Sequence, residues 1–430
     1  MMRKGLAILL VITAWNSAGF CANEPNSGFA GTTLNDYLSY AETNNVGLKS
    51  SYQQWQSALD EALQMKPLSN PEIHYDSDER KKSMQTKQVT SVMQAFPWFG
   101  KVDVQIEAAM YEASAAYHRY QAARLLLFKE VKEGFYEYAY LAGAREIAEE
   151  HIELTRRFEE VAKARHPRNK IANPDTVKTR EEILKTGETL RGLRQLREPM
   201  VSRLRTALSL PDDANLPWPD ADMSGREFNE VKINYEHLVS ILTQKNSELA
   251  ALREEQAAAR SRVTFAEKNV YPDMGVGMEW TQFDGPQKDK DKDSVALLFQ
   301  LKLSVERGGA DREVKRAKNQ VMSIEQQRID TENALLTQAA QKYNELNDSM
   351  KDILLYRDTL VPEGRERLRA AEKEYREGKK DISELLEARR TLMKHQLSYL
   401  RAITDNRKIL AELELLAGTE LDEKQADIKN

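Results

Sequence analysis

The chain has 430 residues, 30 % of them charged, and a formal net charge of −5 at pH 7. Its mean hydropathy of −0.65 and its long tracts of Ala, Glu, Lys, Leu, Arg and Gln are typical of long helices or coiled coil, not of compact globular domains. Because the charges are interspersed and form no basic face, they give no reason to expect a nucleic-acid partner.

The first 22 residues are predicted to be a secretory signal peptide. Arg3 and Lys4 form its positive region, residues 5–15 are apolar, and small residues follow. The apolar stretch is too short to span a bilayer as a helix, and no later stretch approaches about eighteen apolar residues. Cys21 is the only cysteine, so an intrachain disulfide is excluded. Its lipidation stays open, but Phe20 stands where lipoprotein signals carry a small residue, which favours an unmodified or removed cysteine.

After the signal, the chain is predicted to form two related halves, residues 23–210 and 227–417. A linker at 211–226, rich in Pro and Asp, joins them, and a polar tail at 418–430 follows. Each half has a leading helix, two strands, a long helix, a turn and a second helix. The predicted helices are 33–65, 102–164, the stretch from Pro174 to 208, 227–268, 310–356 and a last helix ending near 416, with an interruption at Pro362. The predicted strands are 70–76, 88–96, 271–283 and 294–304.

The second strand pair shows the clearest alternation. Met278 and Trp280 point one way, whereas Gly277 and Glu279 point the other. An alternation over about ten residues with one apolar face is typical of a strand between lipid and water. Four strands cannot close a barrel, which needs about eight, and open strand edges are not tolerated in lipid. If these strands span a membrane, the chain must oligomerise, and a secreted protein of this kind indicates a bacterial outer membrane.

The predicted helix at 102–164 is too long for a globular core. At 1.5 Å per residue it would reach roughly 90–100 Å. Such a rod must pack on other helices, both within the chain and across subunits.

Several short sequence motifs resemble those of the TolC-like family of outer-membrane efflux factors, which serve tripartite efflux systems of the RND type. Residues 94–101 (QAFPWFGK) resemble the family's strand-to-helix exit, and residues 271–273 (YPD) the start of its third strand. Residues 375–378 (YREG) and 381–388 (DISELLEA) resemble the tip of its second helical hairpin and the helix leaving it. The resemblance runs over nearly the whole mature chain.

This resemblance implies a mainly α fold with a membrane β-barrel part and an internal twofold repeat. Long helical hairpins would form a coiled-coil tunnel in the periplasm. Three chains, each giving four strands, would complete one barrel of twelve strands. The implied partners are two further copies of the chain, a periplasmic adaptor (membrane fusion) protein, an inner-membrane pump and outer-membrane lipid.

The implied function is a passive outer-membrane channel that carries solutes, metal ions or drugs, from pump and adaptor to the exterior. Two alternatives remain open. One is the outer-membrane duct of a type I protein secretion system, because the same conduit serves either kind of pump. The other is a periplasmic coiled-coil scaffold without channel activity, which would leave the alternating strands unexplained.

The resemblance also assigns roles near the hairpin tips. Glu384 and Glu387, three residues apart on one helix face, would line the tunnel constriction and favour cations; ordinary solvated glutamates are the competing interpretation. Tyr375, Lys380 and Asp175 match a lock that holds the closed tip. Because the first tip lacks the family's tyrosine–glycine turn, simple capping of a helix N-terminus is the alternative for Asp175.

Two further groups of residues are predicted to lie on surfaces. The exposed tips are expected to dock adaptor and pump through Arg165, Arg168, Lys170, Gly378 and Lys379. Aromatic residues at the two membrane interfaces are expected to be Phe96, Trp280 and Phe283. For Trp98, a packing role under the barrel rim is a close alternative.

Enzyme chemistry is not indicated. The six histidines are scattered without the spacing of a zinc motif. Nucleotide-binding and nucleophile signatures are missing from the sequence. We therefore expect no catalytic residue, no cofactor and no metal site.

Overall fold

The computed structural model describes residues 29–66, 68–80, 85–165, 174–220, 233–284, 293–303 and 307–421. The predicted signal peptide with Cys21, residues 221–226 of the predicted linker and residues 422–430 of the polar tail are outside these ranges. The fold is mainly helical with a four-stranded sheet, as predicted. Within the described residues, no helix is long and apolar enough to cross a bilayer.

The helices follow the predicted order, but the stretches predicted as single helices at 33–65, 174–208 and 227–268 are each divided into two helices. They are α1 (Leu34–Asn44), α2 (Val46–Gln64), α3 (Lys101–Arg165), α4 (Pro174–Gln195), α5 (Arg197–Leu208), α6 (Tyr235–Lys245), α7 (Ser247–Lys268), α8 (Arg307–Leu355), α9 (Val361–Arg376) and α10 (Ile382–Ala417). The 65 residues of α3 make a rod roughly 100 Å long. The strands are β1 (Glu72–Arg80), β2 (Gln85–Phe96), β3 (Asp273–Asp284) and β4 (Ser294–Lys302).

The predicted interruption at Pro362 is present as a π-helical segment between α8 and α9, not as an end of the helix. The helix continues from α8 into α9 through a π-helical segment, Tyr356–Leu360. Pro362 lies in the first turn of α9, where a missing N–H costs little. The wider π turn therefore absorbs the proline without ending the rod.

Two asparagines divide the helices predicted at 33–65 and 227–268. Asn45 caps α2 and donates its Nδ2 hydrogen to the Ala207 carbonyl at the end of α5, 2.9 Å away. Asn246 caps α7 and donates in the same way to the Leu416 carbonyl at the end of α10, also 2.9 Å away. The same junction thus occurs once in each half, which confirms the internal repeat.

The sheet is antiparallel with the order β1-β2-β3-β4. The register aligns Ile73, Val92, Met278 and Leu297 across the four strands. All four are exposed, Leu297 at 68 %. Residues aligned in this way point to the same side, so one face of the sheet is a continuous exposed apolar surface. The other face carries Gly277 and Glu279 on β3.

The unbroken β2–β3 register contradicts one expectation about the aromatic residues. Phe96 and Trp280 lie on the apolar face, but Phe283 lies an odd number of residues from Trp280 and points to the opposite side. A strand period of two cannot place both on one surface. Phe283 is therefore not part of the same aromatic girdle.

The helices continue the order of the strands. Helix α3 packs between α2 and α7, and α7 also packs on α8. Further along α3, the partners become α4 and α10. An apolar cluster around Tyr37, Tyr138 and Leu204 joins α1, α3 and α5, and a separate cluster fills the second hairpin between α9 and α10. This arrangement brings the ends of two helical hairpins side by side.

Candidate gate at the hairpin tips

The second hairpin turns between α9 and α10. Gly378 has φ +77°, a left-handed conformation that favours glycine. The Gly378 N–H donates to the Tyr375 carbonyl and the Lys379 N–H to the Glu374 carbonyl, which closes the end of α9. Lys379 is exposed and pairs with Glu377 at 2.6 Å. The predicted docking residues Gly378 and Lys379 therefore occupy an exposed turn.

The first hairpin connects α3 to α4. Arg165 is the last residue of α3, but its side chain is not described, and Arg168 and Lys170 lie outside the described residues. Asp175 is the second residue of α4, so it is not the N-cap. Its negative charge in the first turn suits the helix dipole.

Two of the three predicted lock residues meet. Tyr375 is only 2 % exposed and packs among the apolar side chains of α9 and α10. Its hydroxyl donates a hydrogen bond to Asp175 Oδ2 over 3.2 Å, which joins the second hairpin to the first.

Lys380, the third lock residue, pairs with its own hairpin. Its ammonium lies 2.8 Å from Glu384 and 3.1 Å from Glu374. Hydrogen bonds to these two carboxylates raise the Lys380 pKa. The cation that pairs across the two hairpins is Lys178 of α4, not the predicted Lys380.

Lys178 makes a second contact between the hairpins that the sequence analysis missed. Its Nζ lies 2.8 Å from Asp381 Oδ2 and 2.7 Å from Ser383 Oγ. The hydrogen bond from Lys178, followed by that from Ser383, lowers the Asp381 pKa to about 2. Lys178 lies three residues after Asp175, so both share one face of α4. That spacing is the signal that could have revealed it.

Glu182 of α4 makes a third contact on the same face, and it is buried. Arg390 of α10 approaches Glu182 with Nη2 at 2.6 Å and Nε at 3.3 Å. The buried His151 of α3 lies 3.5 Å from the other side of the carboxylate. The nearby His151 imidazole and the hydrogen bonds from Arg390 lower the Glu182 pKa to about 2, against desolvation by burial. We call the contacts of Asp175, Lys178 and Glu182 with the second hairpin the tip seam.

The predicted constriction residues share an exposed face of α10, with side chains 56 % and 55 % exposed. Neither carboxylate is isolated. Glu384 pairs with Lys380, and Glu387 lies 3.1 Å from Arg390 Nη1. Arg390 therefore contacts both the tip seam and a predicted constriction residue.

At the other end of the rods, aromatic side chains surround the junction of strands and helices. Phe99 is 77 % exposed and Tyr271 50 %; neither was predicted as an interface residue. Trp98 stacks on Tyr271 with ring centroids 5.1 Å apart, and the backbone N–H of Trp98 donates to Asp273 Oδ1. Lys101, nearly buried, pairs with the same carboxylate at 2.7 Å. Trp98 thus has the packing role considered as its alternative.

In the part of the chain that the structure describes, no group of three or more His, Cys, Asp or Glu side chains could hold a metal ion.

The fold thus combines a sheet that has one exposed apolar face with long helical hairpins that meet in the polar tip seam. Residues 238–419 match the family described as outer membrane efflux protein. The predicted resemblance to the TolC-like efflux factors is confirmed.

Solved structures share the fold over almost the whole chain. The outer membrane protein VceC of Vibrio cholerae is similar with a TM-score of 0.72 and 16 % identity over 90 % of this chain and 97 % of that chain. The open MtrE outer membrane channel of Neisseria gonorrhoeae has a TM-score of 0.73 and 15 % identity, covering 92 % and 91 %. The CmeC outer membrane channel of Campylobacter jejuni has a TM-score of 0.69 and 13 % identity, over 94 % of this chain and 92 % of that chain. Comparison with curated proteins found no match.

Proposed function

We propose that this protein is the outer-membrane channel of a tripartite efflux system. Three copies would form a passive conduit that carries solutes, metal ions or drugs, from an inner-membrane pump and a periplasmic adaptor to the exterior. The helices would stand in the periplasm. The observation that carries this proposal is the exposed apolar face of a sheet that continues directly into helical rods about 100 Å long.

The apolar face needs a lipid environment. Side chains on all four strands contribute to it, and Phe299 on β4 is 80 % exposed. Contiguous apolar surface of this kind is rare on water-soluble monomers. A periplasmic scaffold would leave it in water, so the outer membrane is the better environment.

The sheet edges need further strands. In the described part of the chain, β1 and β4 each pair on one side only. Unpaired backbone groups are costly in lipid. If β4 of one copy pairs with β1 of the next, three copies close a barrel without edges, and the helices that follow the strands become neighbours around a tunnel.

The tip seam suits a gate that a docking partner opens. The contacts of the tip seam are polar, whereas α9 and α10 are held to each other by an apolar cluster, to which α3 contributes Phe158. The hydrogen bond of Tyr375 and the exposed ion pair of Lys178 each contribute only about 1 kcal/mol, so the Arg390 contact with the buried Glu182 is the strongest of the seam. An adaptor or pump that binds the exposed turn at Gly378 and Lys379 could therefore separate the hairpins without unfolding the second one.

The first test is channel activity. We expect detergent-purified protein to be trimeric by light scattering and to conduct ions in planar bilayers. Glu384→Cys and Glu387→Cys should become sensitive to block by Cd²⁺, because three copies would place three thiolates around one constriction. Wild type, with Cys21 its only cysteine, is the matched control. A monomer that fractionates without membranes and forms no channel would contradict the proposal and favour the scaffold.

A further inference from the structure

We infer that Arg390 couples the closure of the gate to the ionic selectivity of the tunnel, by neutralising Glu387 to an extent that depends on Glu182. This inference rests on the proposed function and on the placement of Glu387 at the constriction. It assigns to one arginine a role that the sequence comparison did not indicate.

The geometry places Arg390 between two unequal carboxylates. Glu182, on the first hairpin, is 6 % exposed in its side chain and receives two hydrogen bonds from Arg390. Glu387, one helical turn away on the same helix as Arg390, is 55 % exposed and receives one. The planar guanidinium can donate hydrogen bonds to both carboxylates at once because its N–H groups point in different directions.

Of its two carboxylate partners, Arg390 pairs more strongly with the buried Glu182. A carboxylate removed from water must be paired to remain charged; among the described residues, Glu182 has the Arg390 guanidinium at 2.6 Å and the His151 imidazole at 3.5 Å. The hydrogen bond to Glu182 is also the first cause of the raised Arg390 pKa. In the closed tip, Arg390 is therefore held mainly by Glu182 and compensates Glu387 only in part.

Opening changes this balance. When the hairpins separate, Glu182 leaves with α4 while Arg390 and Glu387 remain together on α10. Arg390 is then free to pair fully with Glu387, three residues away. Three copies would add three positive charges beside three carboxylates and lower the cation preference of the open tunnel.

Glu384 behaves differently. Its partner Lys380 is shared with Glu374 of the same hairpin, so separation of the hairpins leaves that pairing intact. Only Glu387 is linked to the gate.

The test measures permeability ratios from reversal potentials in a KCl gradient, together with single-channel conductance. Arg390→Gln should raise conductance and raise the cation-to-anion permeability ratio by about fivefold, the Boltzmann factor for one unit charge at about 4 Å in water. Glu182→Gln should also raise conductance, but with an unchanged or lower ratio, since Arg390 then serves Glu387 alone. A ratio that rises in both variants would overturn the inference.

A double-mutant cycle isolates the pair. In a Glu387→Gln background, Arg390→Gln should lose most of its effect on the permeability ratio. If the full increase persists there, Arg390 does not act through Glu387. If Arg390→Gln fails to assemble because Glu182 is left unpaired, Glu182→Gln combined with Arg390→Gln removes the buried carboxylate charge together with its half-exposed partner, and the same fivefold increase is expected.

Arg401 provides a matched control. It lies on α10 about 16 Å further along and bridges Glu137 of α3 and Asp405 of its own helix, both at 2.9 Å. Arg401→Gln should leave the permeability ratio unchanged. No channel from folded, trimeric wild type or Glu182→Gln would contradict the proposed function itself, whereas channels with unaltered selectivity in Arg390→Gln would contradict only this inference.

Discussion

Replacing Asn246 by alanine should weaken the junction between α7 and α10 more than the same change at Asn45 weakens its counterpart. Asn246 is 5 % exposed. Its Oδ1 accepts from the N–H groups of Glu248 and Leu249, both at 3.0 Å, and its Nδ2 donates to the Leu416 carbonyl. One side chain thus begins one helix and satisfies a carbonyl at the end of another.

The magnitude follows from these contacts. Loss of an N-cap costs roughly 0.5–2 kcal/mol, and a buried carbonyl left without its donor costs about 1–3 kcal/mol. We expect Asn246→Ala to lower the free energy of unfolding by about 2–4 kcal/mol. Asn45 makes the equivalent bond to the Ala207 carbonyl but accepts only from the Leu48 N–H, and it is half-buried, so water can replace its lost partners. Asn45→Ala should therefore cost about 1–2 kcal/mol.

The assay is denaturant unfolding of the detergent-purified protein, followed by helical circular dichroism. Asn246→Asp separates the two contributions, because it keeps the capping acceptor and removes the Nδ2 donor. Its stability should fall between those of wild type and Asn246→Ala. Equal losses at Asn45 and Asn246, or no loss at Asn246, would refute the reasoning that burial sets the cost of these junctions.

Three further outcomes are expected. Leu297→Arg, on the apolar face of β4, should lower stability by roughly 2–4 kcal/mol if it lies near the bilayer midplane, and less trimer should be recovered from outer membranes. The control Ala296→Arg, on the opposite face, should assemble normally. Equal yields of the two variants would argue against lipid contact. Tyr375→Phe should raise single-channel conductance and leave the melting temperature nearly unchanged, because it removes one hydrogen bond between the hairpins and keeps the packed ring. The Asp381 pKa is lowered to about 2 by Lys178, so this ion pair stabilises the closed tip above about pH 4 and is lost as the pH falls towards 2; conductance should be equal at pH 7 and pH 5, and a steep rise between them would contradict the assignment.

The strands show how far periodicity carries a prediction. Alternation in residues 274–280 correctly indicated an apolar face, because side chains on a strand point to alternate sides whatever surrounds them. Phe283 was assigned to the same girdle by residue type alone. Its position in an unbroken register puts it on the other side, and parity could have shown this once the strand was known to be regular.

At the hairpin tips, the sequence predicted some of the contacts but not the pairing of Arg390. The order of helices, the turn at Gly378 and the pairing of Tyr375 with Asp175 were accessible from sequence pattern and family resemblance. The partner of Arg390 was not, because Glu182 lies 208 residues away on another helix and one glutamate among many has no distinguishing signal.

What the sequence determined by itself is therefore local: the helical and strand periods, the apolar face and the duplicated order of elements. Only the tertiary structure decided which charges meet. Charged side chains are compatible with any solvent-exposed helix position, so their sequence pattern does not specify a partner. The packing of α4 against α3 and α10 buries Glu182, and this burial selects Arg390 as its partner.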